Sequence, residues 1–327
     1  MTGIVTPESP LTRREPFQDI IQAVVKIKDR DSLVLPTQSN QINKPGIITE
    51  GIVDDLLKEF TSRETVIWPS EAGKGEILSI NRMPSESYTR GTSAHDVFFA
   101  RALIRFKDQV NTVPIDVAIK TFDKKSHLKG NTLRDFINSV LVTRNGFTTF
   151  NPLCAISSND MGFVLTVADP SVQSSDLDIL NRDPYDPYVI TRLQKIAQLL
   201  ASLHLAGIFH GDAKIRNFAV TPNGNIEAID WESAKILEFN HKENIDRIVK
   251  NAASDLSDLF FSVIKPVDRN YIPEGQFKNY FMRTIYDIYT DFFLIHSVDE
   301  EKELDILQAI KNASDQLLDE GMRNDDI

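Results

Sequence analysis

A chain of 327 residues with 41% hydrophobic and 25% charged residues has an ordinary globular composition, which excludes wholesale disorder and fibrous repeats. It leaves room for two lobes, or for one large domain with an extension. The formal net charge of -11 excludes general adhesion to nucleic acid or anionic membrane, because phosphate binding needs a basic stripe and none of useful length is present.

The first sixteen residues carry three prolines and scattered charge and read as a loose arm, followed by a helix expected over Phe17 to Lys28. Their opening, MTGIVTPESPLTRREPF, lacks the basic start and apolar core of a signal peptide, and no later run approaches membrane-spanning length. Neither export nor insertion is expected. The single cysteine, Cys154, cannot form an internal disulfide and sits in the apolar run PLCAI as a small core residue. A reducing, cytoplasmic setting is therefore the expectation. Residues 31 to 48 are polar and turn-rich, and Thr49 caps a helix through EGIVDDLLKEFTS with Ile52, Leu56 and Phe60 on one stripe. Residues 1–72 read as a partly helical extension.

From about Gly75 the pattern changes to strands. GEILSIN, DVFFARALIRF and PIDVAIKTF, separated by the loop-like RMPSESYTRGTSAH and KDQVNT, imply three successive antiparallel strands. After KKSHLKGN, the segment TLRDFINSVLVTR has Leu133, Ile137 and Leu141 at helical spacing and stops at Asn145-Gly146. PLCAISS and GFVLTVA are two further strands joined by the turn NDMG. Residues 73–170 thus form a five-stranded antiparallel sheet with one helix. YVITRLQKIAQLLASLHLAG is strongly amphipathic, and stretches around 243 to 264, 276 to 295 and 298 to 319 repeat that character, so 171–327 reads as helical. The final LDEGMRNDDI reads as a frayed acidic end. Strands followed by helices give an α+β class with two lobes and a cleft between them.

The chemistry concentrates in GIFHGDAKIRNFAVTPNGNIEAIDWESA, residues 207 to 234. Moving a terminal phosphoryl group needs metal ions to neutralise the triphosphate and a carboxylate to orient the attacking hydroxyl, and a few oxygen-bearing residues suffice. HGDAKIRN resembles the catalytic-loop pattern HxDxKxxN of the protein-kinase-like superfamily, and AIDWESA looks like the metal-binding segment that follows it. Asp230 stands 18 positions after Asp212, similar to the usual interval in that family. The resemblance implies a two-lobed protein-kinase-like fold that binds ATP and magnesium. Asp212 would receive the acceptor's proton, Lys214 would reach the transferring phosphate, and Asn217 and Asp230 would hold the metal. It also implies that Lys120 of VAIK contacts the α- and β-phosphates, that Ala118 lines the adenine pocket, and that backbone groups near Thr166 to Ala168 in VLTVADP meet the base. Asp255 of SDLSDL stands where the family keeps a buried aspartate that holds the catalytic loop, ahead of Asp258.

Three departures from the family pattern stand out. The loop between the first two strands holds one glycine, Gly91, in place of a glycine-rich phosphate cover. The helix at 132 to 144 has no glutamate for Lys120; Asp135 or Asn138 could approach it, and Asn138 lies where the glutamate is expected. DFG is replaced by Asp230-Trp231-Glu232, and Asp255 follows Asp230 by only 25 positions without a peptide-binding platform. IDWE is closer to aminoglycoside phosphotransferases and choline kinases. His210 and His204 are expected to pack and hydrogen-bond rather than act as bases, Trp231 to be core, and Glu232 to be a solvated charge or an outer metal ligand.

The resemblance therefore implies a phosphotransferase moving the γ-phosphoryl group of ATP to a hydroxyl, with a small molecule favoured over a protein Ser/Thr acceptor. The alternatives are a catalytically weak pseudokinase serving as a nucleotide-binding or protein-binding module, and transfer of AMP by a similar fold.

Overall fold

A computed structural model of the chain describes residues 32–34, 50–62, 64–69, 75–83, 97–107, 109–158, 161–168, 173–175, 179, 182–237, 244–264, 276, 279–280, 282–296 and 300–324. The helix expected over residues 17 to 28, the loop holding Gly91, and the middle of the NDMG turn lie outside them.

Five strands form where alternating or β-branched runs are long enough to announce them: β3 (Gly75–Arg82), β4 (Val97–Phe106), β5 (Val113–Phe122), β6 (Pro152–Ser158) and β7 (Met161–Val167). The sheet nevertheless has seven strands, which corrects the expected five. Thr65–Trp68 (β2) pairs antiparallel with β6, and Ser32–Val34 (β1) lies parallel to β2, giving the order β1-β2-β6-β7-β5-β4-β3. β2 is only four residues long and buried at each one, so its TVIW sequence has no alternation to betray it. Three helices accompany the sheet; those from residues 50 and 131 match expected helices, and the third is new. KKSHL is a short helix α2 (Lys124–Leu128), because the Asp123 carboxylate accepts from the Ser126 N–H and caps it. The others are α1 (Glu50–Ser62) and α3 (Asn131–Arg144).

These helices share one core with the sheet. Phe60 of α1 is fully buried with Ile67, Phe122, Leu133, Phe136, Ile137 and Val140. α1 and β2 therefore pack within the unit that follows residue 73. The buried His127 ring ties α2 and α3 to β6, with Nδ1 3.1 Å from Thr132 Oγ1 and Nε2 3.0 Å from Ser157 Oγ. Gly162 of β7 lies against this knot: a Cβ there would stand 2.1 Å from Thr132 Oγ1 and 2.5 Å from His127 Nδ1. Gly162→Ala should lower stability by ~1–3 kcal/mol through overpacking. Gly146→Ala strains a φ of +83° but meets nothing within 4 Å, and should cost only ~1 kcal/mol. Thermal denaturation of the two variants checks that order.

The C-terminal part is mostly helical. α4 (Pro187–Leu205) starts with Asp186 accepting from the Tyr188 N–H and Pro187 in its first turn, and buries Leu193, Ile196, Leu200 and Leu203. α5 (Ile245–Ile264), a π-helical turn at Met282–Tyr286 running into α6 (Asp287–Ile295), and α7 (Glu300–Asn324) complete a core centred on Phe209, Phe218, Trp231, Phe260 and Tyr289. α7 continues through most of the expected frayed end. Two small sheets accompany these helices. β9 (Ile208–Phe209) pairs with β12 (Lys235–Ile236), and β10 (Phe218–Val220) lies between β11 (Ile226–Ala228) and β8 (Gln173–Ser174). The chain is thus a mixed α+β protein, with a mainly antiparallel sheet followed by helices. Among the described residues, no helix is long and apolar enough to cross a membrane.

Candidate active site

The loop between β9 and β10 is fixed from below by a buried carboxylate. Asp255 on α5 has no exposed surface; its Oδ2 accepts from the His210 N–H at 2.7 Å and its Oδ1 from the Gly211 N–H at 2.8 Å. His204 Nε2 lies 3.0 Å from the same Oδ2, and its Nδ1 is 2.9 Å from the Tyr289 hydroxyl, whose pKa burial pushes well above the usual value. His204 and His210 are thus structural: His210 is buried, points Nε2 at the Ile229 carbonyl (2.9 Å) and packs against Trp231. Gly211 has φ +78°, and a Cβ would stand 2.2 Å from the Ser233 carbonyl oxygen, so a side chain is excluded on both grounds.

With the loop held this way, its polar side chains converge. Asn217 Nδ2 donates to the Asp212 carbonyl (2.7 Å) and to Asp212 Oδ2 (3.0 Å). Lys214 is ion-paired with Asp212, and Arg216 lies 3.7 Å from it. Orienting the Asn217 nitrogen toward Asp212 turns its amide oxygen the other way. Downstream, the hairpin of β10 and β11 brings the next segment back: the Ile229 N–H donates to the Asn217 carbonyl at 2.9 Å. Asp230 follows with φ +68°, the one non-glycine residue with positive φ among the described residues. Trp231 is core, donating from Nε1 to Thr149 Oγ1 (3.0 Å), which in turn donates to the Ala228 carbonyl (2.8 Å).

Lys120 of β5 meets this segment across the sheet. Its Nζ lies 2.6 Å from Asp230 Oδ1, 3.4 Å from Glu232 Oε2 and 3.4 Å from Asp135 Oδ2. Burial favours the neutral amine, yet the carboxylates of Asp135, Asp230 and Glu232 outweigh it and hold the lysine charged. Burial pushes the Asp135 carboxyl up, Asp230 and Glu232 push it further, and Lys120 opposes both. The helix partner of Lys120 is therefore Asp135. Asn138, three residues on, donates instead to the Trp231 carbonyl at 2.8 Å and the Ala234 carbonyl at 3.3 Å. Glu232 is not a solvated charge: its Oε1 accepts from Asn131 Nδ2 at 2.6 Å. Asn131 and Thr149 carry no local sequence signal, since their partners lie about eighty to a hundred positions away in the chain.

The remaining expected positions lie along β5 and β7. Ala118, nearly buried, pairs with Thr166, and the Ala168 N–H donates to the Asp116 carbonyl at 2.8 Å. A polar cavity of about 510 Å³ opens beside the cluster, with Gly211 and Glu232 in its wall.

The oxygen donors are of the hard type that magnesium accepts: the Asp230 carboxylate and the Asn217 amide oxygen, with Glu232 near. Among the described residues, no group of three or more His, Cys, Asp or Glu side chains is arranged as a metal cage. Magnesium is ordinarily held by one or two protein oxygens plus substrate phosphates and water, so such a donor set fits.

Asp258 on α5 is partly exposed and its carboxyl is pushed up to about 6, by burial first and then by Asp255 and Asp212, with Lys214 opposing. A carboxyl whose folded pKa lies above its unfolded value costs nothing below about pH 4, and its penalty is complete above about pH 6. Asp258→Asn should therefore gain ~1–2 kcal/mol over wild type at pH 7.5, allowing for partial exposure, and little at pH 4. Melting temperatures at the two pH values check this.

Compared with protein-family models and with curated proteins, the sequence matches none.

Proposed function

We propose that this protein is an ATP- and magnesium-dependent phosphotransferase of protein-kinase-like fold, moving the γ-phosphoryl group to a hydroxyl, with a small-molecule acceptor favoured over a protein Ser/Thr. The observation that carries the proposal is the 2.6 Å contact of Lys120 with Asp230 across 110 positions of sequence, beside the bonded pair Asp212 and Asn217. A strand lysine, two carboxylates and an amide gathered in one polar cluster are what phosphoryl transfer asks of a protein, since positioning and charge neutralisation do most of the work.

Asp230 and Asn217 would hold magnesium, which when bound neutralises charge on the triphosphate. Lys120, released from Asp230 toward the nucleotide, would bind the α- and β-phosphates while Asp135 and Glu232 keep it charged and aimed. Ala118 leaves room for the base. The Val167 and Ala168 N–H groups already donate to the Asn151 and Asp116 carbonyls, so a base bound at 166–168 would have to take the place of one of these bonds or use a carbonyl oxygen. Asp212 would accept the acceptor's hydroxyl proton as the oxygen–phosphorus bond forms and the bond to the leaving ADP breaks. Lys214 would stabilise the charge on the transferring group. The interval of 25 positions between Asp230 and Asp255 is short for a peptide-docking platform, which favours a small acceptor.

A weakly catalytic nucleotide-binding or protein-binding module is the second reading, favoured by the single glycine, Gly91, in the sequence between β3 and β4 where the family has a glycine-rich phosphate cover. ATP turnover with magnesium, assayed with pooled sugars, aminoglycosides, amino alcohols and a generic protein, separates the two. Acceptor-dependent turnover is expected. No turnover, together with no thermal shift on adding ATP and magnesium, contradicts the enzyme.

A further inference from the structure

We infer that Asn138 is a positioning residue: it takes no part in holding Lys120, and instead fixes the backbone that keeps Asp230 in its left-handed conformation. The inference rests on the phosphotransferase proposal for its catalytic meaning, though not for its geometry.

Asp230 adopts φ +68°, a left-handed conformation that aspartate tolerates better than most L-residues but that still costs free energy, so bonds from its surroundings help to hold it. On its N-terminal side the constraint is visible. The Ile229 N–H bonds the Asn217 carbonyl, and the Ile229 carbonyl faces His210 Nε2 at 2.9 Å. On its C-terminal side the chain turns tightly, the Ala234 N–H donating to the Trp231 carbonyl at 3.1 Å. A single amide group, Asn138 Nδ2, then reaches both the Trp231 and Ala234 carbonyls, at 2.8 and 3.3 Å. It comes from α3, which also carries Asp135 to Lys120 and Asn131 to Glu232. One helix therefore sets the lysine through Asp135 and the aspartate through Asn138. The division suits the chemistry of the two side chains: a carboxylate pairs with an ammonium, whereas two carbonyl oxygens need a donor, which aspartate or glutamate would not offer when ionised.

Asn138→Asp tests this because it keeps shape and volume while replacing the donor with a charged acceptor facing two carbonyls. Asn138→Gln keeps a donor and is the conservative control. The first readout is the affinity for Mn²⁺ in the presence of ATP, followed by electron paramagnetic resonance. Asn138→Asp should weaken it about tenfold or more, the usual scale for losing a residue that orients a metal ligand, while Asn138→Gln recovers most of it. The second readout is independent of activity. The chain has two tryptophans, so in a Trp68→Phe background Trp231 reports alone, and Asn138→Asp should make its fluorescence more accessible to acrylamide.

Mn²⁺ affinity within twofold of wild type in Asn138→Asp overturns the inference. Should that variant not fold, Asn138→Ala takes its place with the same expected losses and the same criterion. Wild-type protein that binds no Mn²⁺ with ATP overturns the phosphotransferase proposal instead. In that event unchanged Trp231 quenching in Asn138→Asp overturns the positioning role, and increased quenching upholds it.

Discussion

Asp230→Asn is expected to reduce magnesium-dependent ATP turnover by at least ~10²-fold while leaving the fold intact. The proposed metal site has one close carboxylate, Asp230, and an amide oxygen cannot replace its charge opposite a divalent cation. Stability should scarcely change. Lys120 keeps Asp135 and Glu232 as counter-charges at 3.4 Å, and removing one of three carboxylates relieves repulsion among them. Initial rates at saturating ATP and magnesium, read beside the melting temperature, separate the two effects. A variant that retains more than half of wild-type turnover contradicts the assignment of Asp230 as metal ligand. Asp212→Asn should behave alike for another reason, losing ~10²–10⁴-fold as the proton acceptor disappears.

Asp255→Ala is expected to do the opposite and damage the fold first. The side chain is fully buried and accepts from the His210 and Gly211 N–H groups, with His204 Nε2 also within 3.0 Å. Removing it leaves these groups without a partner in the core, a loss of ~3–5 kcal/mol. Urea unfolding at pH 7.5 measures it. The 210–217 loop would lose its anchor as well, so turnover should fall even at a temperature where the variant remains folded. Stability within 1 kcal/mol of wild type would contradict the anchoring role.

The contrast between these residues shows how far the sequence could be read. Asp212, Asn217 and Asp230 lie in one stretch of 19 residues, and the resemblance of that stretch to a catalytic loop singles them out as candidates before any fold is known. Lys120 was singled out by the resemblance of VAIK to the family's strand lysine. The long strands and the three long helices α4, α5 and α7 were legible because periodicity accumulates over ten or more residues. β2 was not, because four buried residues without alternation carry no period, and neither was β1, whose partner in the sheet is β2. Asp135 and Asn138 sit three apart on one helix face, so spacing alone left either free to meet Lys120. What separates them is the carbonyl pair at Trp231 and Ala234, which only tertiary structure brings to Asn138. Glu232 illustrates the same limit: a glutamate after a tryptophan reads as a solvated charge or an outer metal ligand until Asn131 and Lys120 arrive from about a hundred residues away.

The most direct test of the proposed chemistry uses ATP labelled at either the γ- or the α-phosphorus, incubated with the full chain, magnesium and the pooled acceptors. Label should pass to an acceptor from the γ-position only, and should fail to pass in Asp212→Asn. Transfer from the α-position would mean that AMP is the group moved, and would contradict the phosphotransferase account.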